Sequence, residues 1–394
     1  MGKAHRLAFC ILMSLALNAC AQPAASGAAA ATTPAAPPAP VNSTAVRIDT
    51  IASGLDHPWA VALLPEGGFL VTERSGQLRR ISADGKVSAP IGGVPAVFAE
   101  GQGGLLDVVL APDFASSRRI YLSFAEAGDG STAGTAVATA TLGADAIDDV
   151  QVIYRQLPKL EGGAHFGSRI AFDASGHIFI SQGERNQRAL SQDLDKLQGK
   201  LVRLGLDGSI PGDNPFVGRQ DARPEIWTYG HRNVQGMAVD PRTGTLWLSE
   251  HGPRGGDELN LPGPGKNYGW PVITHGINYS GLKIPEAVGN AQDGMEQPHH
   301  VWAKSPGLSG MAFLTGKPGH PWNDSLFLGA VAERNLIRLQ LDGNRIVGEE
   351  RLLVDLGERI RDVRVGNDGA VYVLTDADDG RLLRLVAPGE AGKR

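Results

Sequence analysis

The chain has 394 residues, 42% of them hydrophobic, with 37 Lys and Arg against 42 Asp and Glu and a formal net charge of −5. That balance, without any basic tract, argues against nucleic acid as a partner. Its two cysteines, Cys10 and Cys20, both lie at the start of the chain, which excludes disulfides and cysteine-ligated metals from the rest.

Residues 1–20 read MGKAHRLAFCILMSLALNAC. Lys3 and Arg6 precede an apolar stretch, residues 7–17, of secretory-signal length and too short to span a bilayer. The stretch ends in Leu17, Asn18, Ala19 and Cys20, which resembles a bacterial lipoprotein cleavage box with an unusual Asn18. Two readings stand: a lipidated Cys20 that tethers the protein to the outer membrane, or ordinary secretion. Both export the protein to the periplasm. Without Lys3 and Arg6 the balance is 35 basic residues against 42 acidic, a net −7. Residues 21–44 carry almost no large apolar side chain and cannot offset the entropy of ordering, so they read as a flexible linker. The folded domain is expected over 45–394, with its pattern running to about residue 387.

From residue 60 one plan recurs: apolar strand, Gly/Pro/Asp/Asn turn, second strand, polar gap, third strand. Copies begin at AVALLPEGGFLVTE (60–73), DVVLAPDFASSRRIYLSFAE (107–126), RIAFDASGHIFISQGE (169–184), GMAVDPRTGTLWLSEHG (236–252), GMAFLTGKPGHPWNDSLFLGA (310–330) and DVRVGNDGAVYVLTDADDG (362–380). Short β-branched or aromatic strands at such spacing suit four-stranded blades. The fold expected is therefore all-β, a six-bladed β-propeller. A helical turn is expected only around residues 193–199. A propeller brings one loop per blade to the mouth of its channel, so the ends of the repeats carry the functional interest.

Several such ends are rich in polar residues and glycine. His165, in GGAHFGSR, reads as a general base if a carboxylate holds its other ring nitrogen, and Glu184, at the end of the next strand, is placed to do so. The alternative is an exposed loop histidine, with Glu184 paired to Arg185. Arg232 and Asn233, in YGHRNVQG, suit a carboxylate or an oxyanion, or else a salt bridge to a neighbouring loop. Arg359 and Arg361 alternate about Ile360 and share one side, which calls for an anion between them: a ligand carboxylate, or an acidic residue of an adjacent blade. Gly252 and Pro253, followed by Gly255 and Gly256, expose carbonyls of the kind that hard cations accept. His299 and His300 read as surface residues. The Rossmann, P-loop and GxSxG patterns are missing.

Together, GQGGLLD, AHFGSR, LQGKLVRLGLDGSIPGDNPF, YGHRNVQG, SEHGPRGGDELN, NYGWP and GERIRDVR resemble the soluble aldose sugar dehydrogenases, relatives of soluble quinoprotein glucose dehydrogenase. The resemblance spans about residues 47–386. It implies a six-bladed propeller using pyrroloquinoline quinone (PQQ) and calcium. His165 would take the proton of the sugar C1 hydroxyl while hydride leaves C1 for the quinone C5, and Glu184 would orient it. Arg232 and Asn233 would hold the cofactor, with Arg232 close to the reacting quinone oxygen and so a catalytic residue beside His165 and Glu184. Gln102 and Tyr279 would contact cofactor or substrate, and Arg359 and Arg361 would pair with the cofactor's carboxylates. The carbonyls of Gly252 and Pro253 would ligate the calcium at the cofactor, with Glu258 and the carbonyl of Tyr268 at a second, structural calcium. Where the family often has a lysine that contacts the cofactor, this chain has Ala332. The partners implied are an aldose substrate and an external electron acceptor, since the sequence has no haem-attachment motif. Two alternatives stand beside this reading: a non-catalytic sugar- or protein-binding propeller, and a calcium-dependent lactonase.

Overall fold

Each repeat folds into one antiparallel sheet, and the sheets close into a ring. The computed structural model describes residues 40–41 and 46–389; the leader, Cys20 and most of the linker stretch lie outside the described residues. The innermost strands are Pro58–Leu63, Leu105–Leu110, Gly167–Phe172, Val234–Val239, Leu308–Leu314 and Ile360–Val365. Each packs against the next, and the last packs against the first, which makes a six-bladed propeller.

Most blades are four-stranded antiparallel sheets, and two carry an added strand at the outer edge. The first blade has Pro58–Leu63, Phe69–Glu73 and Gln77–Ile81, and a bridge from Ile81 to Val87 stands where its fourth strand would run. The sixth takes its outermost strand from the other end of the chain: Arg47–Leu55 pairs antiparallel with Gly380–Val386. In the fifth blade Pro40–Val41, inside the stretch read as linker, runs parallel to Arg345–Leu352.

Burial falls from the axis outwards. Leu308–Leu314 is buried at every position, whereas Arg345–Leu352, three strands further out, alternates. Two-sided burial explains the near-continuous apolar reading of the inner strands. The core is a set of six apolar layers, one at each blade interface. Trp59, Leu105 and Phe124 belong to the layer between the first and second blades, and Ala52, Val61 and Leu374 to the one at the seam between sixth and first.

Every innermost strand breaks register with its neighbour near its start. These bulges turn residues towards the axis that regular alternation would send elsewhere. Trp59, Asp107, Arg169, Gln235, Gly310 and Arg361 lie in or beside them. Arg169, fully buried, is the hub. Its guanidinium lies 4.0 Å from the centroid of the Trp59 ring. It contacts Asp107 Oδ1 at 3.3 Å and Asp362 Oδ1 at 3.0 Å. It also donates to the carbonyls of Gln235 at 2.8 Å and Arg361 at 3.2 Å. Gly310 completes the circle, because a Cβ there would meet Asp362 Oδ1 at 2.1 Å and Arg169 Nη2 at 3.0 Å. One side chain of the third blade thus contacts the first, second, fourth and sixth blades, and Gly310 of the fifth leaves the room it occupies. Arg364 adds a second cation to the same carboxylates, at 2.8 Å from Asp362 and 3.1 Å from Asp107.

Two expectations are corrected. Near the expected position the helical turn is a 3₁₀ turn at Arg188–Ser191, and residues 193–199 form turns without a helix; a short α-helix at Phe114–Ser117 and a 3₁₀ turn at Val354–Leu356 were not expected. His300 is buried against Trp302 and Glu349, and His299 packs on Trp247, so neither is a free surface residue.

Asp362 also accepts the backbone N–H of Val61, so it ties the last blade to the first. Asp362→Ala leaves Arg169 and Arg364 one carboxylate short and is expected to destabilise the fold by about 3–5 kcal/mol. Equilibrium urea unfolding checks this; a variant within about 0.5 kcal/mol of the parent, the range of ordinary surface changes, would remove the hub from the account.

Candidate active site

In an antiparallel blade, the chain entering the first strand and the chain leaving the second lie at the same edge. A backbone hydrogen bond joins the two in each blade. Arg74 donates to the His57 carbonyl, Ala125 to Gly104, Arg185 to His165, His251 to Asn233, Val331 to Gly307 and Asp376 to Arg359. These paired segments ring one mouth of the channel, and most of the sequence-selected residues stand on them.

His165 sits in the third pair. Its backbone is left-handed, with φ of 53°, a conformation that an L-residue holds only when its surroundings impose it. Here they do. Gln102 Oε1 accepts the His165 N–H at 2.8 Å, and the Arg185 guanidinium bonds the carbonyls of Gly162 and Ala164. Arg185 itself lies under Phe166, and burial draws it down to about 10. Gly183 is required beside the histidine, since a Cβ there would lie 2.0 Å from the His165 carbonyl.

Glu184 is buried, and its Oε2 lies 2.5 Å from His165 Nδ1. That pairing replaces both elements of the alternative: His165 is 8% exposed, and Glu184 does not pair with Arg185. With Nδ1–H given to a carboxylate, neutral His165 carries its lone pair on Nε2. Nε2 has no partner among the described residues.

Two cavities lie nearby, one touching Glu184 and the other touching Gln102, the partner of the His165 N–H; His165 itself lines neither. One, of about 460 Å³, is lined by Gln102, Arg74, Gly252, Ala332, Arg359 and Arg361 among others. The second, of about 530 Å³, is lined by Glu184, Arg188, Arg232, Trp270 and Glu286 among others. Pro253 and Tyr279 line both. Tyr279, 70% exposed, stands between them.

Arg359 and Arg361 do lie on one side, and the acid between them is Asp376, which the sequence reading missed. Its Oδ2 is 2.6 Å from Arg361 Nη2 and 3.2 Å from Arg359 Nη2. It belongs to the same blade, not an adjacent one. Despite burial, the arginines and a hydrogen bond from His57 hold its carboxyl well below the usual range. Arg361 also reaches Gln235 Oε1, at 2.9 Å, and its Nε is buried without a partner. Among the described residues Arg232 has no carboxylate on its guanidinium; it donates to the His251 carbonyl at 3.2 Å and lies over Trp270. Asn233 Oδ1 accepts from the Gly167 N–H, and its Nδ2 is buried and unpartnered.

The four oxygen ligands expected for metals fall into two neighbouring groups. Gly252 lines the 460 Å³ cavity, as does Pro253. Glu258 and Tyr268 line a gap of about 10 Å³ that also touches Gly252, Glu250 and Arg232. Burial and the nearby Glu250 push the Glu258 carboxyl well above its ordinary range. Asn260 Nδ2 stands between the two acids at 3.2 Å from each. Among the described residues no group of three or more His, Cys, Asp or Glu converges as a metal site. Backbone carbonyls would therefore have to supply part of any shell.

The chain matches the glucose/sorbosone dehydrogenase family over residues 55–384. It is 54% identical to aldose sugar dehydrogenase YliI of Escherichia coli over 343 residues, 86% of this chain and 92% of that protein. The crystal structure of the soluble aldose sugar dehydrogenase from Escherichia coli in the apo-form superposes with a TM-score of 0.85, covering 86% of this chain and 99% of that one. The PQQ-bound aldose sugar dehydrogenase of Streptomyces coelicolor is 30% identical, with a TM-score of 0.73, over 88% of this chain and 99% of that one.

One wall of the larger cavity rests on a buried lysine. Lys200 Nζ lies 2.8, 3.1 and 2.7 Å from the carbonyls of Leu190, Ser191 and Gln198, donating to all three when protonated and to two when neutral, and so pins the Arg188–Ser191 turn. Burial draws Lys200 down to about 7, against about 10.4 for an ordinary lysine. Between those values the unfolded chain binds a proton that the folded chain lacks, so Lys200 makes stability rise with pH across that window. Lys200→Met is expected to lose this rise. Melting temperatures of both proteins from about pH 7 to about pH 10 test it, and parallel curves would contradict it.

Proposed function

The chain belongs to the glucose/sorbosone dehydrogenase family, and within that family of sugar dehydrogenases we propose that it is an exported enzyme using PQQ and calcium to oxidise the C1 hydroxyl of aldoses to the lactone. The observation that carries the proposal is the buried His165–Glu184 pair, with Nε2 uncommitted: Glu184 lines the cavity of Arg188 and Arg232, and Gln102, which holds the His165 N–H, lines the cavity of Arg74, Arg359 and Arg361.

The residues present suit a flat tricarboxylate. Among the described residues Arg359 and Arg361 are two cations on one carboxylate, Arg232 has none, and Arg361 Nε and Asn233 Nδ2 are buried donors awaiting acceptors. Buried polar groups left this way are costly unless a ligand satisfies them. Arg232, Asn233, Arg359, Arg361 and Gln102 would hold the cofactor, with Tyr279 at the boundary shared with the sugar. Calcium suits the oxygen-only donors: the carbonyls of Gly252 and Pro253 at the cofactor, and Glu258 with the Tyr268 carbonyl at the small gap, where a cation would relieve the repulsion between Glu258 and Glu250. When bound, the quinone and its calcium supply the two-electron acceptor for the hydride that leaves C1.

His165 Nε2 accepts the proton of the C1 hydroxyl. Glu184 fixes the tautomer that makes this geometrically available and stabilises the imidazolium that results. Trp270 lines the larger cavity, where an aromatic side chain suits the apolar face of a sugar ring. The electrons pass to a separate acceptor, and the leader supports delivery to the periplasm, with Cys20 as the site of a lipid tether. The carboxylates on the channel axis, Asp107 and Asp362, are held by Arg169 and Arg364, which weighs against the lactonase alternative.

The direct test is reconstitution of the apo-protein. Dye reduction with glucose that needs both added PQQ and calcium is the expected result; no turnover with several aldoses and no cofactor uptake would end the proposal. His165→Ala is expected to lower kcat by at least 10²–10⁴-fold, the usual contribution of a general base, with cofactor affinity kept. Near-normal turnover would remove the base assignment. Arg361→Ala is expected to weaken cofactor binding more than it slows turnover at saturating cofactor, and an unchanged affinity would contradict the charge pairing.

A further inference from the structure

Arg74 lines the 460 Å³ cavity on the segment that leaves the second strand of the first blade. Asp376 stands on the corresponding segment of the sixth blade, so the two residues occupy matching places in their repeats. The charges around the cavity are unequally neutralised. Arg359 and Arg361 share Asp376, and His57 lies between Asp376 and Asp378 at 2.9 and 2.8 Å. Arg74 has no carboxylate within ion-pair distance among the described residues. Nη1 donates to the Gly101 carbonyl at 2.8 Å, and Nε is buried with no partner. A partly buried guanidinium with an idle donor and no counter-charge is expensive unless a bound anion completes it. The fifth-blade wall of the same cavity presents Gly307, Val331 and Ala332, and no cation.

We infer that Arg74 is a cofactor-binding residue, holding a carboxylate of the quinone from the first-blade side and supplying the positive charge that the Ala332 wall does not. The inference rests on the quinone reading above. It makes the anion site a fork from two blades, with Arg359 and Arg361 on one and Arg74 on the next round the ring. Gln102, beside Gly101, links this fork to His165 through the His165 N–H. The cation that binds the cofactor and the amide that fixes the base therefore sit on neighbouring supports.

The test is a binding titration of apo-protein with PQQ in the presence of calcium, read by quenching of tryptophan fluorescence, without substrate or turnover. Arg74→Ala is expected to raise Kd about tenfold or more, the equivalent of roughly 1.4 kcal/mol. It should also flatten the dependence of log Kd on salt, since one cation is lost. Arg74→Gln keeps a donor for Gly101 but no charge, and is expected to lose the same affinity with an unchanged melting temperature, which separates binding from folding. Adding Ala332→Lys to Arg74→Ala should recover part of the loss by returning a cation to the opposite wall. If the parent binds the quinone and both Arg74 variants bind it within twofold, the inference is overturned and Arg74 is a support for Gly101. If the parent itself takes up no quinone, the reading beneath the inference falls with it.

Discussion

Everything at the channel mouth depends on one guanidinium at the axis. A ring of sheets has a geometric difficulty at its centre: the innermost strands converge, and their bulges leave backbone and side-chain polar groups facing a space too narrow for bulk water. Arg169 resolves it by presenting a planar, permanently charged fork to several blades at once. With Arg364 it balances Asp107 and Asp362, so the plug is neutral as a whole. Removing any member leaves the others buried and uncompensated, which is why such a network gives more specificity of assembly than net stability. The blades are held in one rotational register, and the loops above them inherit it.

The fold was legible because it repeats. Short strands bounded by Gly, Pro, Asp and Asn recur with apolar inner strands, and six copies mean six blades. The His165–Glu184 pair was legible only as a juxtaposition of two positions in one repeat. Whether the ring turned inward depended on the left-handed backbone at residue 165 and on Arg185 beneath it, neither of which leaves a pattern in the sequence. Asp376 was missed although its place is equivalent to that of Arg185, the residue after Glu184. In TDADDG, three acids compete, and hairpin geometry decides which one faces the arginines.

The axial charges were missed for a different reason. Strand alternation assigns residues to faces by parity, and a bulge shifts parity by one. Asp107, Arg169 and Gln235 stand at such shifts, so each reads as an edge residue of an apolar strand, whereas Arg361 stood out through its alternation with Arg359 about Ile360. His300 shows the opposite error: a polar pair beside a turn looks exposed, yet Trp302 and Glu349 cover it.

The clasp formed by Arg47–Leu55 on Gly380–Val386 carries a consequence for biogenesis. Gly54 and Asp379 are joined by a hydrogen bond across 325 positions of sequence, so a ribosome must finish almost the whole chain before the circle can shut. The last blade to be made also carries Arg359, Arg361 and Asp376. A nascent or nicked chain lacking that closure has no complete anion cradle, and any cofactor selective for the cradle selects the shut ring. Mass action then couples loading to integrity: the occupied protein resists opening at its seam by as much as the ligand concentration exceeds its dissociation constant. On the quinone reading proposed above, cofactor supply would set not only how much enzyme is active, but how long each copy lasts.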